Sequence, residues 1–141
     1  MIGSERGWSG DDAAVMQLLA CSPATSMDAQ IRNGLTIRSI DNLANQGVCV
    51  VEAGILSARR LNYCRRHDSP LTRNESDRLY RVSKVLLLAV AVLGDQDKAL
   101  AWLTKPRPAF WGLHALDAVA TTPGYEQVSD ELERLRSGLF S

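Results

Sequence analysis

The chain has 141 residues, 45% of them hydrophobic, with 16 basic and 16 acidic side chains. That length suits one domain or two very small ones, and the longest apolar run, nine residues over 85–93, is far short of the ~20 that a membrane-spanning helix needs. Three cysteines at wide gaps without a CxxC, and two histidines, His67 and His114, without ligand spacing, argue against a disulfide framework or a metal site.

Taken in chain order, "DAAVMQLLA" (12–20) places Val15, Leu18 and Leu19 at helical spacing, and Pro23 ends the segment; a mobile arm is the alternative. From 27 to 46 the pattern is helical again, interrupted at Gly34. Ile37, Ile40, Leu43 and Ala44 fall on one face, and Gly47 suits a left-handed cap. The following "VCVVEAG" is short and apolar, and local pattern does not decide between a strand and a buried one-and-a-half-turn helix before Gly54. Ser57 is an N-cap for "ARRLNYCRR", with Leu61 and Cys64 inward. The spacing of Thr72 and Glu75 is that of a capping box. It predicts a long helix over 73–93 that buries Leu79, Val82, Leu86 and Val90 and stops at Gly94. Asp95 caps a helix whose inner face is Ala99, Trp102 and Leu103, and Pro106 and Pro108 then force an extended link. A turn or two follows at 116–120. Thr122 and Pro123 read as an N-cap with proline in the first turn, and Val128, Leu132 and Leu135 line the last helix up to Gly138. No convincing β-alternation occurs, so the fold class is all-α.

Charge is segregated along the chain. Residues 1–33 hold two basic and four acidic side chains, 34–86 nine and five, and 87–141 five and seven. A segment of net +4 between acidic ends suggests a middle part that meets an anion. Within it, Arg59, Arg60, Arg65 and Arg66 share a short helix with Asn62 and Tyr63, behind Ser57. Arginine forks match guanine edges and phosphates, asparagine pairs with adenine, and tyrosine donates to phosphate. Gly54, just ahead, sits where a helix-turn-helix needs its tight turn. A solvated basic face is the bland alternative. No nucleophile stands beside a base and no phosphate loop occurs, so an enzyme is not expected, and neither is a cofactor. The acidic N-terminus lacks the pattern of a signal peptide, which makes the cytoplasm the expected compartment.

The C-terminal part carries a rarer set: "VLGDQDKALAWL", "FWGLHALDAV" and "TTPGYEQVSDELERLRSG". Gly94-Asp95, Ala99, Trp102-Leu103, Gly112, Leu116-Asp117, Thr121 with Gly124, and Arg134 with Gly138 follow one another in the order of a known pattern. On these residues the chain resembles the Xre-type antitoxins with an Xre/MbcA/ParS toxin-binding domain, over roughly 34–138. It departs from them in one loop, where Trp111 replaces a usual glycine and Ala115 a usual proline.

The resemblance implies an antitoxin of a type II toxin–antitoxin system. Residues 1–33 would form an arm with a short helix, 34–71 an Xre-like helix-turn-helix, 72–93 a linking helix and 94–141 the toxin-binding domain. The implied partners are a RES-type toxin that consumes NAD, double-stranded promoter DNA through Ser57, Arg59, Arg60, Asn62, Tyr63, Arg65 and Arg66, and a second copy in a homodimer; no membrane is implied. Toxin contacts would come from Phe110, Trp111, Leu113, Arg134, Arg136, Gly138, Leu139, Phe140 and Ser141, with Phe110 and Trp111 as the exposed aromatics and Trp102 in the core. A stand-alone helix-turn-helix regulator with a C-terminal dimerisation domain is the alternative.

Overall fold

The computed structural model describes residues 8–138, with side chains from Asp12 onward. Among these residues all regular structure is helical: α1 (Trp8–Leu18), α2 (Met27–Asn33), α3 (Ile37–Asn45), α4 (Ala58–His67), α5 (Arg73–Leu93), α6 (Gln96–Thr104), a 3-10 turn (Pro108–Phe110), α7 (Ala115–Ala118) and α8 (Thr122–Arg136). The chain divides into two compact units, one reaching Ser83 and one starting at Lys84, so α5 contributes to both. No described helix is long and apolar enough to cross a membrane.

The first unit is built on an apolar core that includes Val15, Leu19, Leu35, Ile40, Leu43, Val48, Val50, Cys64, Leu71, Leu79 and Val82. On α3 the inner face is Ser39, Ile40 and Leu43, with Ile37 half-buried; Ala44 is exposed. The face is therefore rotated from the one its apolar spacing suggests. Ser39 owes its buried place to a 2.5 Å hydrogen bond from its Oγ to the Leu19 carbonyl, which satisfies the hydroxyl inside the core. Gly47 (φ +96°) closes α3: its N–H donates to Ala44 O at 3.0 Å and the Val48 N–H to Leu43 O at 2.9 Å, the paired bonds of a left-handed helix stop. The ambiguous "VCVVEAG" becomes neither strand nor helix but a single turn. The Ala53 N–H donates to Cys49 O and the Ile55 N–H to Val50 O, both at 2.9 Å. That compact turn delivers the chain to Ser57, whose Oγ accepts from the Arg60 N–H at 3.0 Å and starts α4.

The capping box at the start of α5 is formed in full. The Glu75 N–H donates to Thr72 Oγ1 at 3.1 Å and the Thr72 N–H to Glu75 Oε1 at 2.8 Å. In the first unit, Ser76 Oγ accepts from the Leu35 N–H at 2.9 Å, while the Leu71 N–H donates to Leu35 O at 2.8 Å. These two bonds fix the α2–α3 link beside the start of α5.

The second unit buries Val85, Leu86, Leu88 and Ala89 of α5 together with Ala99, Leu103, Phe110, Leu116, Val119, Val128 and Leu132. Asp95 caps α6 by accepting from the Lys98 N–H at 2.9 Å, and His114 caps α7 through Nδ1, which accepts from the Asp117 N–H at 3.2 Å. The cap of α8 is Thr121, one residue earlier than the Thr122-Pro123 pair suggests, so proline takes the second helical position. The cause lies at Gly124, whose N–H donates to Thr121 Oγ1 at 3.1 Å.

Candidate nucleic-acid and partner interfaces

Unit one presents the arginine-rich α4, but its four arginines are not equivalent. Arg60 is turned toward Glu75: its Nε and Nη2 lie 3.0 and 3.1 Å from the two carboxylate oxygens, a two-point pair with side chains only 28% and 20% exposed. Burial pushes the Glu75 carboxyl upward, but the Arg60 and Thr72 hydrogen bonds and the Arg60 charge outweigh it and hold the group below the usual carboxylate range. Arg60 is thus a strut between α4 and α5, not one of four free arginines. Arg65 pairs with Asp41 of α3 at 2.8 Å, at an exposed site where such pairs contribute little. Arg59, Asn62, Tyr63 and Arg66 line one shallow hollow on the outer face of α4. Tyr63 is 51% exposed; its ring lies 4.3 Å from that of His67 and 5.7 Å from the Arg60 guanidinium. Ser57 stands at the head of the same face, and its side chain is spent on the cap. The face offers two arginines that form no ion pair among the described residues, an amide and a phenol within two helical turns, groups that donate to phosphates and base edges.

Unit two presents the loop 107–113. The Phe110 N–H and Gly112 N–H both donate to Arg107 O at 3.0 Å, the Trp111 N–H to Pro108 O at 3.0 Å, and the Arg107 N–H to Leu113 O at 3.1 Å. From α8, Gln127 Nε2 donates to Ala109 O at 2.6 Å. Phe110 is 1% exposed, which corrects its expected place among the exposed aromatics. The 3-10 turn points its ring inward, edge-on to Trp102 with centroids 5.9 Å apart. Trp102 is half-buried under the Arg107 guanidinium, 4.5 Å from the ring centroid. Trp111, one residue on, is 81% exposed, and Leu113 is 47% exposed. On α8, Arg134 is paired with Glu131, and Arg136 reaches both oxygens of Glu133 at 2.6 and 2.7 Å. Gly138 (φ +79°) follows the end of the helix. Leu139, Phe140 and Ser141 lie outside the described residues.

Sequence reasoning missed Asp41 and Glu75 as partners of the arginines, and Arg107 and Gln127 as fixers of the loop. Only Glu75 carried a local signal, its capping-box spacing. Among the described residues no cluster of His, Cys, Asp and Glu could hold a metal ion.

Residues 88–138 match the antitoxin Xre/MbcA/ParS C-terminal toxin-binding domain. Antitoxin Xre of Pseudomonas putida is 33% identical over 131 residues, covering 89% of this chain and 82% of that protein. Antitoxin Xre of Yersinia enterocolitica is 30% identical over 129 residues, covering 87% and 86%.

Proposed function

The chain belongs to the Xre antitoxin family, and on that premise we propose that it binds and silences a RES-type toxin that consumes NAD, and represses its own promoter as a homodimer in the cytoplasm. The observation that supports this most is the reach of the similarity: 89% and 87% of the chain align with the two antitoxins, more than either compact unit alone could supply. In this reading residues 34–71 are the DNA-binding part, 72–93 the linking helix and 94–141 the toxin-binding domain. The single turn before Ser57 and the exposed face of α4 support the first of these. Two copies of α4, about 34 Å apart, would enter successive major grooves.

Silencing by occupancy asks no catalytic group of the antitoxin. Residues 139–141, an apolar pair and a serine, follow Arg134, Arg136 and Gly138, and the proposal gives them the toxin's substrate cleft, where the Phe140 ring would stand in for a flat substrate ring. The test is co-expression with the toxin encoded by the adjoining reading frame, read as growth and cellular NAD. The full chain is expected to restore both. A chain lacking residues 139–141 is expected to keep the complex but lose the rescue. No rescue by the full chain refutes the antitoxin reading, and full rescue by the shortened chain refutes the plug alone.

A further inference from the structure

Trp111 stands in a conformation that the fold does not require a tryptophan to adopt. Its backbone is left-handed (φ 55°, ψ 36°), where any Cβ crowds the neighbouring carbonyl and glycine is favoured. The residue is 81% exposed, so packing returns little for that conformation. A glycine at 111 would relieve the backbone and remove a large apolar surface from water. Neither folding nor solubility accounts for the residue.

The loop that holds it is nevertheless rigid. Five backbone hydrogen bonds close 107–113 on itself, Gln127 ties Ala109 to α8, and the buried Phe110 anchors the loop from beneath. A large aromatic on a fixed support has little ordering entropy left to lose on binding, and buried tryptophans dominate the energetics of many interfaces. Leu113, two residues on and also exposed, adds a second apolar contact.

We propose that Trp111 is the anchor of the toxin interface, a preformed peg that seats in an apolar, ring-sized slot on the toxin with Leu113 beside it. This rests on the antitoxin reading above. The toxin, rather than a second copy, is the occupant because the loop lies inside the segment that matches a toxin-binding domain.

The test uses full-length Trp111→Gly and Trp111→Asn, since both residues tolerate the left-handed backbone. The probe is the purified protein encoded by the adjoining reading frame, titrated by calorimetry. Both variants are expected to melt no lower than the parent chain, to keep its oligomeric state and promoter affinity, and to bind the toxin about tenfold or more weakly. Undiminished toxin binding by both variants overturns the peg and leaves the antitoxin reading intact. A sharp fall in melting temperature for both shows a packing role and overturns it. A changed oligomeric state without loss of toxin affinity assigns the ring to self-association and overturns it too. If the parent chain itself fails to bind the toxin, the antitoxin reading fails, and the peg with it.

Discussion

A Cβ at Gly124 would lie 1.9 Å from the Ala118 carbonyl oxygen and 2.8 Å from its carbon, both main-chain atoms at the end of α7. The glycine therefore sets how closely α8 starts against α7, while its N–H completes the Thr121 cap. Two effects oppose each other in Gly124→Ala. Helix propensity favours alanine by about 1 kcal/mol at most, but the clash is with backbone and cannot be relieved by a rotamer. Overpacking of this kind costs about 1–3 kcal/mol and more where the backbone must move, so a net loss of stability is expected. Urea denaturation of the full chain measures it; an unshifted midpoint would show that the α7–α8 link can yield. The same scale explains why Phe110, expected to be exposed beside Trp111, is instead buried while Trp111 is exposed. Adjacent aromatics beside a glycine carry no local sign of which one points inward. That depends on the left-handed step at Trp111 and on Trp102, which packs from another helix.

Helices were the legible level. Apolar spacing and capping residues located α3 to α6 and α8, because both signals are local to the segment that folds. The capping box of α5 is the clearest case, but its glutamate does more than its spacing announces, since it also receives Arg60 of α4. Nothing in the sequence pairs residues 60 and 75, so four arginines looked alike when one is a strut. Removing the charge with Glu75→Gln is expected to cost about 1–2 kcal/mol at neutral pH, in the range of a charge-assisted hydrogen bond at a partly exposed site. The pH dependence has a fixed sign. The folded-state pKa of Glu75 is depressed, so the parent chain's advantage is complete above the ordinary glutamate pKa of about 4.3. It is lost as pH falls through the depressed folded value. Denaturation of both proteins across that window should show two curves that converge only on the acid side; a constant gap would mean that the lost stability is not electrostatic.

At the scale of the whole chain, two exposed surfaces of different chemistry sit on two separately packed units, the α4 face before Ser83 and the 107–113 loop after Lys84. Energetic effects of substitutions that share no partner add with little interaction, so the two proposed activities should separate by mutation. Arg59 and Arg66 are the residues to change, because among the described residues neither is engaged in an ion pair, whereas Arg60 and Arg65 are held by Glu75 and Asp41. Arg59→Ala with Arg66→Ala removes two potential phosphate or guanine contacts per protomer without touching the core. Promoter affinity is expected to fall, and the slope of log affinity against log salt to shrink by about 1 for each lost phosphate contact. Toxin neutralisation in the same variant should remain at the parent level. The decisive measurement is a promoter titration at several salt concentrations beside a toxin-rescue assay. An unchanged affinity and salt slope would remove α4 from the DNA interface. Loss of both activities in a protein with an unaltered melting temperature would mean that DNA and toxin compete for one surface, and the division of labour between the two units would have to be abandoned.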